Sequence, residues 1–188
     1  MRKGSLPKRK PVLLLVDFIN FFDFQGAKAL MPRALRAARA TAALKARFGS
    51  KRWACIYVND NFGDWSRPFD KLVQECRERG GVSAAIAELL EPSANDISIL
   101  KPRHSGFYGT PLEFLLDELA PSTVVITGIA ADNCVFATAQ DAYVRQFAVS
   151  VPRDCIAAER AADEAGVLSH MQRTLKAQTG LSRRLRLR

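Results

Sequence analysis

Val12-Leu13-Leu14-Leu15-Val16-Asp17 is the stretch on which the fold turns. Pro11 precedes the run, five apolar residues follow without a polar interruption, and a carboxylate closes it. A strand with one solvated face alternates polar and apolar residues, whereas a strand covered on both faces reads as an unbroken apolar run. The stretch therefore predicts a central strand in a parallel sheet with helices on both sides. Further strands follow at Trp53–Val58, 97–100, 123–127 and 147–151. Helices are expected between them. One runs from Pro32 to Phe48, with proline in its first turn and Gly49 just past its end. A mixed helical region from Pro68 to Arg79 is broken by Gly80-Gly81, and a second piece covers 82–90. Thr110-Pro111 caps and opens a helix to Leu119, and others cover 133–145 and 158–177. Strand–helix alternation at this spacing implies right-handed crossovers. The segment from Gly180 could add a short, arginine-rich edge strand.

Length and composition agree with this class. A chain of 188 residues, 48% hydrophobic, suits a single domain over 1–188 with a sizeable core. No apolar run approaches the length of a membrane span, and five residues are too few for a signal-peptide core. Cysteines 55, 76, 134 and 155 show neither CxxC pairing nor metal spacing and read as free thiols of a cytoplasmic protein. The net charge of +9 sits in two basic tails, at about 1–10 and 178–188. Residues 1–10 carry five bases and residues 165–188 six, with no acid in either, so the rest has 17 bases against 19 acids. Such tails attract polyanions weakly. Neither holds an aromatic residue to stack on bases, which argues against specific nucleic-acid binding.

Three chemically distinct residues fall at the carboxyl ends of predicted strands: Asp17 after the first, Lys101 after the third, and Cys134 a short turn beyond the fourth. Ligands of open parallel sheets bind along that rim. A thiol near a helix N-terminus sees unpaired N–H groups and the positive end of the dipole, which favours its thiolate. The same N–H groups can hold an oxyanion. Lys101 would favour the thiolate further, and Asp17 could take its proton and pass it to a leaving amine. Each residue alone has a plain structural reading; all three together point to a nucleophile site.

Asp17, Lys101-Pro-Arg-His-Ser-Gly-Phe107 and Gly128-Ile-Ala-Ala-Asp-Asn-Cys134-Val135 resemble the three motifs of the isochorismatase-like cysteine hydrolases, which include nicotinamidases and N-carbamoyl-amide hydrolases. The resemblance spans about residues 11–165. It implies a three-layer α/β/α sandwich around a mainly parallel sheet, a Cys134–Asp17–Lys101 triad, and assembly into homodimers or homotetramers. It also implies a cis peptide between Ile129 and Ala130, with the backbone N–H groups of Ala130 and Cys134 as the oxyanion hole. The implied reaction is thioester-forming cleavage of a small amide, carbamoyl or ureido substrate, with Asp17 also activating the water that ends the cycle. No cofactor is called for. Metal-containing nicotinamidases use an Asp followed two residues later by His; Asp60 matches the first, but Phe62 replaces the second, so no metal site is expected. Isochorismatases proper cleave a vinyl ether and do not need the cysteine, so retention of Cys134 favours amide cleavage.

Candidates for the substrate pocket are Asn20 and Phe24 after the first strand, Asn59 and Trp65 around the loop Asn59-Asp-Asn-Phe-Gly-Asp-Trp65, and Phe107. Asn59, Asp60 and Asn61 line the cleft or cap that loop. Arg103 could grip a substrate carboxylate or make a surface ion pair. His104 has no partner identifiable from sequence and receives no role. Two other functions stay open: a vinyl-ether hydrolase independent of Cys134, and a non-catalytic binding or scaffold protein.

Overall fold

β1 (Val12–Val16) is buried along its whole length and pairs with β2 (Cys55–Asp60) on one side and β4 (Val124–Ile129) on the other. β3 (Ile97–Lys101) extends the sheet beyond β2. The position beyond β4 is shared by two short strands. β5 (Val149–Ser150) pairs with the start of β4 at Val124–Val125, and β6 (Ile156–Ala157) with its end at Gly128–Ile129. All these pairings are parallel, in the order β3-β2-β1-β4-β5. The structure, a computed structural model, describes residues 9–185.

Alternation along β1 divides the core. Leu13 and Leu15 enter an apolar cluster with α1 (Ala27–Ser50), α2 (Phe69–Arg79) and α3 (Gly81–Leu89). Val12, Leu14 and Val16 enter a second cluster with α4 (Leu112–Leu119), α5 (Phe136–Val144) and α6 (Ala161–Thr174). The fold is thus the expected three-layer α/β/α sandwich. Burying one leucine contributes about 1.5–3 kcal/mol, so three fully buried leucines in five residues make β1 the anchor of both layers.

Several boundaries differ from expectation. α1 starts at Ala27 and not at Pro32, which lies inside it. Gly26 (φ +92°) turns the chain into the helix in a backbone conformation that suits glycine. Pro32 forfeits one helical hydrogen bond, a loss outweighed by burial of Leu30, Ala34 and Ala37 along the same face. The fifth strand shrinks to two residues because Val151 N–H leaves the ladder for the Gln178 carbonyl (2.8 Å). Among the described residues, the segment from Gly180 to Leu185 forms no edge strand. A single parallel bridge joins Ser150 to Gln178, and a 3₁₀ turn follows at Ser182–Arg184. Asp154 accepts both the Ser182 N–H and hydroxyl at 2.7 Å, and Arg47 donates to the Ser182 carbonyl at 2.7 Å. Leu185 is buried in the core. These contacts draw the chain off the sheet edge. Residues 1–8 and 186–188, holding most of the N-terminal basic tail and the end of the other, lie outside the described residues. Among the described residues no helix is long and apolar enough to cross a membrane.

Candidate active site

The carboxyl rim of the sheet brings four side chains together. Asp17 follows β1 at φ +52°, a left-handed turn that aspartate tolerates better than most residues, and its N–H donates to the Val58 carbonyl at 3.1 Å. Asp60 closes β2, Lys101 closes β3, and Cys134 sits in a wide π-type turn, Ala131–Val135, leading from β4 into α5. β1 and β4 approach closely just beneath. A Cβ on Gly128 (φ +140°) would lie 2.1 Å from the Val16 carbonyl oxygen, so only glycine fits there. The next peptide bond, Ile129–Ala130, is cis, and the Ala130 carbonyl accepts the N–H groups of Asn133 (3.1 Å) and Val135 (3.2 Å).

Lys101 Nζ is the hub. It lies 2.8 Å from Asp17 Oδ2, 3.6 Å from Asp60 Oδ2 and 3.6 Å from Cys134 Sγ, and donates to the Arg103 carbonyl at 3.1 Å. Asp17 Oδ1 accepts the Asp60 N–H at 2.6 Å. Asp17 Oδ2 is close enough to Lys101 for an ion pair but has no donor aligned as a hydrogen bond, which leaves it a lone pair for a proton. The Cys134 thiol interacts with that carboxylate. Burial raises the Asp17 carboxyl above the usual carboxylate range, with Lys101 pulling the other way. Burial also pushes the Cys134 thiol up, the Asp17 charge adds to this, and Lys101 offsets it only in part. For Lys101, burial alone would lower the ammonium, but Asp17, Cys134 and Asp60 together hold it above its ordinary value. Burial and the Asp17 charge thus oppose the thiolate that the helix end is expected to favour, and the sulfur stands beside a carboxyl of heightened basicity and the Lys101 ammonium.

The other named residues are placed as follows. Asn59 is fully buried, with its side chain accepting the Ile19 N–H (3.1 Å) and donating to the Ile19 carbonyl (2.8 Å). It fixes the segment carrying Asp17. Asn20 Oδ1 accepts the Phe22 N–H at 2.8 Å, a local turn contact. Phe107 is buried against Phe147 beneath the Arg145 guanidinium. Phe24 lies 6.4 Å from Phe22 and is exposed, and Trp65 is 76% exposed. Asn59 also meets the four-residue cluster directly, its amide donating to the Asp60 carbonyl at 3.3 Å. Two residues matter more than sequence suggested. Asp60 ties β2 to both Asp17 and Lys101; the signal was available, since it too ends a strand on the same rim. His104 Nδ1 lies 3.9 Å from Cys134 Sγ. A histidine three residues beyond Lys101 in the same motif loop was the only hint.

A nicotinamidase-type metal does not fit the residues present. Asp60 Oδ1 caps the Phe62 N–H at 2.6 Å and Oδ2 faces Lys101, while Phe62 offers a benzyl ring where an imidazole would be needed.

With this geometry in view, comparison with known proteins is decisive for kinship. The isochorismatase domain matches residues 11–180. The chain belongs to the isochorismatase family. Among the relatives of this isochorismatase-family chain is the isochorismatase family protein YaaI of Bacillus subtilis, 35% identical over 173 residues, covering 92% of this chain and 94% of YaaI. Maleamate amidohydrolase of Pseudomonas putida is 29% identical over 156 residues, covering 79% and 72%. Among solved structures, N-carbamoylsarcosine amidase from Thermoplasma acidophilum superposes with a TM-score of 0.73 at 28% identity, over 94% of this chain and 99% of that one.

Proposed function

We propose that the chain is a cysteine-dependent hydrolase of a small amide, carbamoyl or ureido compound, acting through a thioester on Cys134. The observation that carries this reading is Lys101 Nζ, held at once 2.8 Å from Asp17 Oδ2 and 3.6 Å from Cys134 Sγ. Asp17 accepts the thiol proton as sulfur attacks the substrate carbonyl, so the thiolate exists only as the new bond forms. Lys101 remains charged throughout and balances the negative charge as it moves from carboxylate to sulfur. The backbone N–H groups of Ala130 and Cys134 receive the oxyanion. Protonated Asp17 then delivers its proton to the departing ammonia or amine, and water cleaves the thioester. Support comes from the raised basicity of Asp17, which suits a group that must both take and return a proton. The relatives named for maleamate and N-carbamoylsarcosine cleavage bring the same substrate class to mind for this chain.

The test is ammonia release from a panel of primary amides, N-carbamoyl amino acids and ureido acids, with wild-type and Cys134→Ala protein side by side. Release by the wild type that disappears in Cys134→Ala is expected. Equal release by both proteins refutes the thioester route, and cleavage of a vinyl ether by Cys134→Ala moves the chain to the cysteine-independent branch.

A further inference from the structure

Lys101 and Cys134 are carried by segments 33 residues apart, and the bonds that hold those segments together converge on one side chain. Lys101 Nζ is pinned to its own loop by the Arg103 carbonyl (3.1 Å). That loop is tied to α5 at two points. The Ser105 hydroxyl donates to the Asp141 carboxylate and accepts the Phe107 N–H (3.2 Å). The Gly106 N–H donates to Thr138 Oγ1 (3.0 Å), and that hydroxyl donates to the carbonyl of Cys134 itself (2.7 Å). A helical threonine often donates to the carbonyl four residues back. Here the same oxygen also accepts from a second segment, so one atom joins the ammonium's loop to the nucleophile's backbone. The approach needs glycine at 106, where a Cβ would lie 2.7 Å from a Val58 methyl and 3.4 Å from the Thr138 methyl. Thr138 is wholly buried.

We propose that Thr138 is a positioning residue for the nucleophile, its hydroxyl holding the Cys134 sulfur in register with the Lys101 ammonium; the proposal rests on the cysteine-hydrolase reading above. Sγ and Nζ stand 3.6 Å apart. Attraction between ammonium and developing thiolate falls with distance, and attack on a carbonyl tolerates little displacement. The Ser105–Asp141 tie meets α5 beyond the turn Ala131–Val135 and does not touch it, whereas the Thr138 tie ends on the nucleophile's own residue. Fixing the Cys134 carbonyl fixes the rotation of its backbone, and with it the direction of the Cα–Cβ bond that carries the sulfur. Valine has nearly the shape of threonine without the hydroxyl. At 138 it would leave the Gly106 N–H and the Cys134 carbonyl without this shared partner while the packing stays the same. Thr138 carries no proton for the reaction and acts only through Cys134 and Lys101.

The experiment sets hydroxyl against methyl at position 138, with p-nitrophenyl acetate as an acyl donor. Wild-type, Thr138→Val, Thr138→Ala, Thr138→Ser and Cys134→Ala proteins are pulsed with the ester. Acetylation of Cys134 is followed by quenched intact-protein mass, and the Tm of each protein is measured alongside. Thr138→Val and Thr138→Ala, which lack the hydroxyl, are expected to acylate about 10- to 100-fold more slowly, the scale of a small misplacement of reacting groups. Thr138→Ser keeps the hydroxyl and loses a packed methyl, so it should lower the Tm yet acylate close to the wild-type rate. Wild-type rates in the hydroxyl-less variants overturn the assignment. So does slowing in Thr138→Ser that matches theirs, which would make the position a packing site. Failure of both hydroxyl-less variants to fold overturns it as well, since the hydroxyl would then serve folding alone. A wild-type protein that takes up no acetyl group on Cys134 overturns the cysteine-hydrolase reading itself, and this inference with it.

Discussion

Replacing Lys101 with methionine separates charge from packing at the centre of the site. The ammonium is wholly buried, with Asp17 Oδ2 at 2.8 Å and Asp60 Oδ2 at 3.6 Å. Stripping one partner from a buried pair costs about 3–5 kcal/mol while the other stays charged. Asp17 can avoid part of that cost by taking a proton, and burial already raises its carboxyl even with Lys101 in place. An unfolded aspartate titrates near 3.9, so keeping Asp17 protonated costs about 1.4 kcal/mol per pH unit above that, or about 4 kcal/mol at pH 7. That figure is the ceiling for the variant. Its direction is fixed: the native state holds a proton that the unfolded chain has released, so stability falls as pH rises. Relative to wild type, the penalty opens at the pH where wild-type Asp17 ionises, and grows by up to about 1.4 kcal/mol per unit beyond it. Below that point both proteins carry a neutral Asp17, and the variant, spared the desolvation of an ammonium, should equal or exceed wild type. Urea unfolding of both proteins between pH 4.5 and 7.5, with unchanged m-values, measures the difference. A loss of several kcal/mol that is constant across this range would refute the account, because it would make Lys101 a packing element and not the counter-charge of Asp17.

Further expectations concern the same rim. Asp17→Asn should lose about 10²–10⁴-fold in ammonia release, yet its Cys134 should alkylate faster with iodoacetamide at neutral pH. The carboxylate that holds the thiol up is gone while Lys101 remains at 3.6 Å, and each pKa unit recovered is about tenfold in thiolate. Slower alkylation than wild type would contradict that electrostatic picture. Wild-type activity should fall on acidification along a limb above the ordinary carboxylate range, because Asp17 must be ionised to act as base and burial raises it. Initial rates from pH 4 to 8 would show the limb, and a profile flat down to pH 4 would contradict it. Gly128→Ala places a Cβ against the Val16 carbonyl and should cost about 2–4 kcal/mol, seen as a Tm lowered by roughly 5–15 °C. Asn59→Ala orphans both polar groups of Ile19 and should cost about 2 kcal/mol in urea unfolding.

Much of the architecture was legible because it is written in short, mainly apolar runs. Val12–Val16, Ile97–Leu100 and Val124–Thr127 each declare a strand, and Asp17, Lys101 and Gly128 just beyond them mark the carboxyl ends. What escaped notice depends on contacts distant in sequence. β6 is two residues long, too short for any period, and exists because Gly128–Ile129 offers it an edge. The start of α1 at Ala27 is settled by burial along its face, which outvotes the local signal of Pro32. The fate of the chain beyond Gly180 is decided by Asp154 and Arg47, neither nearby in sequence. At the site, residue types at strand ends identified Asp17, Lys101 and Cys134 as neighbours. Their protonation states were not readable, since burial and the Asp17 charge push the Cys134 thiol up while Lys101 pulls it down, a balance that only the folded environment sets. His104 escaped because an exposed loop has no periodicity to say which way its side chains face.

The central place of β1 also bears on how the chain is made. Its partners lie far apart in sequence: β2 follows within about 40 residues, whereas β4, at Val124–Ile129, is separated from β1 by more than half the chain. Contacts of such range form late and slow folding. As the polypeptide emerges, α1, β2 and β3 can gather on β1 first, leaving the edge Val12–Val16 without hydrogen-bond partners until residue 124 arrives. An unpaired apolar strand edge is a template for self-association. A nascent chain stalled before β4 would therefore be sticky, and its first moment of safety from aggregation is also the moment at which Cys134 is brought to Asp17 and Lys101.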